Sequence, residues 1–257
     1  MKLVCSFILT FFLSSAVAQD NYEIQVYGSQ TQLPHTTMFE LHSNYTINGQ
    51  TQVVNGVVPT NHSLHETVEI TTGISSIFET GVYLFTNYTP GYGYQIVGGH
   101  LRPRVMAPTD WNWPVGVSLS IEFGYQKPAY STNTWSLEIR PIVDKQWQNL
   151  YISFNPTLEI ALQSAYSNSV PTFSPNIKVD YAFFKNVALG FEYYGDLGPI
   201  NDFYPGPQQS QSIYLAYDLL NNPHWELNIG LGFGLTPATD GCVAKVILGR
   251  RISWKKK

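Results

Sequence analysis

The stretch PVGVSLSIEFGYQKP, residues 114–128, alternates large apolar side chains with small polar ones. Val115, Val117, Leu119, Ile121, Phe123 and Tyr125 take one parity, and Gly116, Ser118, Ser120, Glu122 and Gly124 the other. Successive side chains of a strand point to opposite faces, so this segment reads as a β-strand with one apolar wall. Such a wall fits a protein core or lipid equally well, and the rest of the chain has to choose.

Composition favours lipid. Charged residues make up 12% of the 257 residues, and aromatic residues 14%, with 17 Tyr and 6 Trp. Soluble domains carry about twice that share of charge, because charge is what keeps a surface in water. The net charge of −4 leaves no basic face for nucleic acid. After the N-terminal leader no apolar run is long enough for a spanning helix, which needs roughly 18 residues or more. A membrane crossing must then be made by strands, and in hydrocarbon strands need a closed barrel that leaves no backbone edge unpaired.

Residues 1–18, with Lys2, an apolar run through Leu13 and the small-residue end Ala16-Val17-Ala18, read as a cleaved export signal. Residues 19–35 form a lead-in, and 36–257 the barrel. With Cys5 removed, Cys242 has no intrachain partner, which sets aside a disulfide-stapled fold.

From Thr36 onward the period-two pattern predicts twelve strands, at 36–48, 64–75, 78–88, 94–106, 115–127, 134–144, 149–162, 174–184, 187–196, 210–220, 224–235 and 242–252. The fold class is all-β, an antiparallel up-and-down membrane barrel. Mid-strand charges fall on the polar parity, with Glu66 and Arg250 as exceptions near strand ends. The run 94–106 has a weak apolar face, and Pro103, Pro141 and Pro156 predict bulges or breaks, since proline cannot donate to the ladder. Long connections near 49–63, 163–173 and 197–209 alternate with short ones near 76–77, 145–148, 185–186 and 221–223. That asymmetry is expected of long external loops and short periplasmic turns.

The polar parity supplies the lumen and selectivity candidates: Glu40, His42, Glu69, Arg102, Arg104, Glu122, Glu138, Arg140, Glu159, Lys178, Asp180, Glu192, Glu226 and Lys245. Acids outnumber bases, which does not suit a purely Arg-lined pore for acidic oligosaccharides. Two readings stay open: a water-filled lumen with a transverse field, or acids and bases that pair across a narrow interior and plug it. Trp111, Trp113, Tyr125, Trp135, Trp147, Tyr151, Trp225 and Trp254 fall toward strand ends and read as aromatic girdles at the headgroup level.

An outer-membrane lipid hydrolase, which His42 beside Ser43 and Asn44 brings to mind, is the weakest of the alternatives. His42 and Ser43 are neighbours on a strand and face opposite ways, and no Gly-X-Ser-X-Gly elbow exists. No metal spacing and no cofactor motif is present. The loop GPINDFYPGPQQ, residues 198–209, offers Phe203 and Tyr204 to a surface partner if the barrel is adhesive rather than conducting.

The leader, the twelve alternating runs, the aromatic belts and the closing strand VAKVILGRRISW, residues 243–254, together resemble a Gram-negative outer-membrane β-barrel. The segment YEIQVYGSQTQLPHTTMFELHSNYTING, residues 22–49, resembles more narrowly the start of the outer-membrane family associated with phenol-degradation (MetA) pathways. The resemblance implies a channel-like or transporter-like barrel for passive passage of small molecules, with apolar or aromatic solutes. It brings no catalytic residues. The partners expected are outer-membrane lipids, the barrel assembly machinery and a small-molecule solute. Lys255, Lys256 and Lys257 follow Trp254, a departure from the aromatic terminus that assembly machinery reads.

Overall fold

Twelve antiparallel strands close on themselves in a computed structural model that describes residues 21–164 and 170–254. The export-signal reading of residues 1–18 lies outside the described residues. The strands are β1 (Thr36–Asn48), β2 (Leu64–Gly73), β3 (Phe78–Thr89), β4 (Gly93–Met106), β5 (Gly116–Gln126), β6 (Asn133–Trp147), β7 (Leu150–Ser164), β8 (Thr172–Phe184), β9 (Val187–Asp196), β10 (Ser210–Leu219), β11 (Trp225–Gly234) and β12 (Cys242–Ser253). Each pairs with its sequence neighbour, and β1 pairs with β12 from Thr36↔Ser253 to Asn48↔Cys242, so no edge is left open. Closure is what lets strands of this composition stand in hydrocarbon.

The opening strand shows how burial follows parity. On β5, Ser118, Ser120, Glu122 and Gly124 are buried, while Leu119, Ile121 and Phe123 are 39%, 39% and 44% exposed. The outer wall is therefore apolar, and the polar parity faces the lumen. At the end holding Thr36 and Ser253, Trp111, Trp113, Trp147, Trp225 and Trp254 are exposed. At the other end Trp135 stacks on Phe123 at 5.3 Å and packs on Tyr125 at 5.1 Å. The outward charges near strand ends are partnered by rings: Tyr94 donates to Glu66 at 3.3 Å, and Arg250 lies 4.7 Å from the Trp225 ring.

One sequence expectation needs correction, the place of Tyr151 in the girdle, and two are made specific. The register runs unshifted past Pro103, Pro141 and Pro156. Of the expected bulges or breaks, breaks are found: the ladder lapses without slipping, between Leu101↔Phe123 and Arg104↔Ser120 and between Ile139↔Leu158 and Val143↔Phe154. All three prolines take the outward parity, where apolar rings suit lipid and the missing donor costs one ladder bond. The weak face of 94–106 comes from a real bulge opposite Phe85/Thr86. It switches parity inside β4, so that His100 and Arg102 point inward below it and Val97, fully buried, points inward above it. Tyr151 is no girdle residue: it shares the inward parity of Ser153 and Asn155, and its hydroxyl donates to Asp144 at 2.8 Å.

The lumen is filled by the chain's own lead-in. Residues 21–35 pass through the barrel and join β1 beside an isolated bridge from Pro34 to Gly73. Tyr22, Ile24, Val26 and Tyr27 are buried there against wall residues Tyr83, Phe85, Tyr194, Tyr214 and Val243.

Candidate functional site

The inner segment is held mainly by wall side chains bonding its backbone. Asn44 donates to the Asn21 carbonyl at 2.8 Å, Thr67 to that of Tyr22 at 2.8 Å, and Lys245 to that of Ile24 at 3.0 Å. Ser153 and Asn155 donate to the Tyr27 carbonyl, and Asn155 accepts the Tyr27 amide at 2.8 Å. Arg104 donates to the carbonyls of Gly28 and Gln30, Asp144 accepts from the Ser29 amide, and Glu79 from the Gln32 amide. A segment without a strand ladder has to satisfy its polar backbone in this way once buried.

Tyr27 occupies the barrel's waist. Its ring lies 4.6 Å from the Arg102 guanidinium, 4.9 Å from that of Arg140 and 5.8 Å from that of Arg104. Its hydroxyl donates to Glu23 at 3.1 Å and meets the Tyr83 hydroxyl at 3.3 Å. A ring with negative faces suits a ring of guanidiniums. No sequence signal singled out the lead-in as a site element, because its residues lack strand alternation and only the closed barrel brings the three arginines around it.

The lumen candidates separate into pairs and groups. Arg102 reaches Glu69 at 2.6 Å and Glu79 at 3.6 Å, and Arg104 reaches Glu79 at 2.8 Å. Arg140 holds Glu138 at 2.7 Å. Lys178 meets Asp180 at 3.2 Å, Glu192 at 3.3 Å and Asp218 at 2.8 Å, while Lys245 contacts the other oxygen of Glu192. Glu226 pairs with Arg251 at 3.4 Å, near the end holding Thr36 and Ser253. His42, fully buried, lies 3.4 Å from Glu69, close to Glu40. In these groups acids and bases meet directly.

Above the waist the arrangement changes. A cavity of about 480 Å³ sits on the side of the long loops, with Tyr22 and Glu23 of the inner segment among its lining residues. Its wall carries six carboxylates, Glu23, Glu122, Glu138, Glu159, Asp196 and Asp240, against one permanently charged base, Arg140. Glu122, Glu138 and Glu159 are direct partners across β5, β6 and β7, which makes a row of acids at one height. The rim is tied by Asp240, whose carboxylate accepts from Thr60 at 2.6 Å, from the Gln50 amide at 3.2 Å and from Asn21 at 3.1 Å.

No protein-family model matches the sequence, and no curated protein sequence does. Solved structures share the barrel: the COG4313 outer membrane channel from Pseudomonas putida F1 has a TM-score of 0.63 at 9% identity, over 90% of this chain and 100% of that one. The KdgM porin follows at 0.55 and 9%, over 83% and 98%, and the NanC porin at 0.52 and 9%, over 85% and 100%. The class defined by fold and outer wall is the outer-membrane-type β-barrel. At such identities the likeness reaches the fold, and the site has to be argued from this chain's residues.

Proposed function

We propose that this protein is a channel-type barrel of the Gram-negative outer membrane that passes small polar or cationic solutes, with its N-terminal segment as the plug. The observation that carries the reading is the external cavity of about 480 Å³, whose six carboxylates face a single arginine. Fixed negative charge in a low-dielectric mouth concentrates cations and repels anions. One structure of the KdgM porin is in complex with disordered oligogalacturonate, and the acidic lining of this chain argues against an acidic ligand here. The MetA-type resemblance would bring aromatic solutes; the carboxylate row supports polar ones.

The inner segment favours a second reading, a structural barrel with a permanently plugged lumen, because residues 21–32 leave the waist packed. One experiment separates the two. Purified protein in planar bilayers should conduct with a reversal potential showing cation preference. The triple change Glu122→Gln, Glu138→Gln and Glu159→Gln should reduce that preference. Background conductance from both the intact protein and a variant lacking residues 21–32 would sink the channel reading.

A further inference from the structure

Three polar side chains where the cavity meets the waist come from three separate elements. Glu23 lies on the inner segment, His100 on β4 and Glu122 on β5. His100 Nδ1 is 4.0 Å from Glu23 Oε2 and in direct contact with Glu122 Oε1. The side chains are 5%, 7% and 3% exposed in the order Glu23, His100, Glu122.

Charge at this point is unbalanced. Among the described residues, His100 is the basic group that pairs within 4 Å with each of the two carboxylates, while Arg140, held by Glu138, acts on both from further off. Two carboxylates so deeply buried beside one another are costly with a single, more distant permanent charge between them. Independently, Glu122 Oε2 and His100 Nε2, the far atoms of two of these side chains, are buried without a hydrogen-bond partner, so the wall leaves both side chains incompletely satisfied.

The geometry is also prepared. One ligand atom from each residue lies within 4.8 Å of the other two. The imidazole is set edge-on to Phe85 at 4.6 Å and lies across Gly124, where any Cβ would collide with it. Tyr27 donates to Glu23 Oε1 at 3.1 Å, which orients that carboxylate and leaves Oε2 toward His100.

We propose that Glu23 Oε2, His100 Nδ1 and Glu122 Oε1 form a site for a divalent transition-metal ion that clamps the inner segment to the barrel wall. One imidazole nitrogen and two carboxylate oxygens suit a borderline ion such as Zn²⁺, with water from the cavity in the fourth position. The ion takes the place of the proton between His100 and Glu122, and the three atoms draw in to bond lengths of about 2.0–2.2 Å. All three residues line the cavity, so an ion arriving from the loop side reaches them without crossing the waist. The second group of similar make-up, Glu40, His42 and Glu69, lies away from that cavity and already holds the fixed charge of Arg102 at 2.6 Å, which repels a cation. This site does not depend on whether the barrel conducts.

The test titrates Zn²⁺ into the full-length protein in detergent at neutral pH, by calorimetry, with the fold checked by heat-modifiable gel mobility. One saturable equivalent is expected. His100→Asn and Glu23→Gln should each weaken it by about tenfold or more, and His42→Asn should leave it unchanged. Glu23 is off the barrel wall, so Glu23→Gln stays informative even if His100→Asn does not fold. Hydrogen exchange supplies the clamp readout: Zn²⁺ should slow the amides of residues 21–27 in the intact protein and not in Glu23→Gln. No saturable binding, binding indifferent to Glu23→Gln, or binding that leaves the segment's exchange unaltered would each overturn the proposal.

Discussion

The guanidinium of Arg102 lies 4.6 Å from the centre of the Tyr27 ring, joining the wall's most buried arginine to the middle of the inner segment. Arg140 and Arg104 approach the same ring, so one aromatic side chain spaces three cations that would otherwise repel one another. Tyr27→Ala should therefore open the waist and lower the unfolding free energy by about 3–5 kcal/mol, as large aromatic truncations in cores do. Single-channel conductance and urea unfolding of the folded barrel check it. Tyr27→Phe keeps the ring and loses only the hydroxyl contacts to Glu23 and Tyr83, so it should retain the intact protein's conductance.

Lys245 ties the other side of the segment. Its ammonium donates to the Ile24 carbonyl at 3.0 Å and contacts Glu192, which Lys178 also reaches at 3.3 Å. Lys245→Met strands a buried carbonyl and strips Glu192 of one of its two cations. A destabilisation of about 3 kcal/mol is expected from an unpaired buried charge. The double variant Lys245→Met with Glu192→Gln should recover part of that loss, which a double-mutant cycle in urea measures directly.

Asp240 closes the rim. Its carboxylate gathers Thr60, the Gln50 amide and Asn21, so a residue in the β11–β12 connection holds both the 49–63 loop and the start of the inner segment. Asp240→Ala should speed proteolytic cleavage within residues 49–60 several-fold and leave the barrel's resistance to cleavage unchanged. Limited proteolysis read by mass spectrometry would show either outcome. Equal cleavage of both proteins would mean the loop is held by other contacts.

The barrel was legible because its physics is local: each strand's alternation is set by residues two apart, and β5 alone shows both faces. The inward set was legible for the same reason, since parity places Glu40, Glu69, Arg102 and Glu192 on the lumen side wherever register is unbroken. Legibility failed where geometry is not periodic. The β4 bulge flips parity between His100 and Val97, which no count of alternating residues could place. Tyr151 misled because an amphipathic ring near a strand end satisfies the girdle pattern and can also donate inward to Asp144. The lead-in's role lay beyond reach: Tyr27 touches residues from β3, β4, β6 and β7, contacts that exist only after closure.

Small inward residues on β5 differ in what they permit, and this yields a contrast within one strand. Gly124 lies under the His100 ring, and Gly116 lies under Asp144 and Ser29, so these positions are small because side chains from elsewhere cross them. Ser118 and Ser120 have hydroxyls without a partner, and no neighbour depends on them. Gly124→Ala should therefore force His100 off Glu122 and cost about 1–3 kcal/mol, the usual penalty of overpacking. Ser120→Ala should stay within about 0.5 kcal/mol of the parent, because it removes an unbonded hydroxyl and adds no volume. Urea unfolding of the two variants tests the difference, and the His100 imidazole resonance should move in Gly124→Ala alone. Equal stability of the two would mean that His100 has room to turn aside, and that the glycine reflects strand twist rather than the ring laid across it.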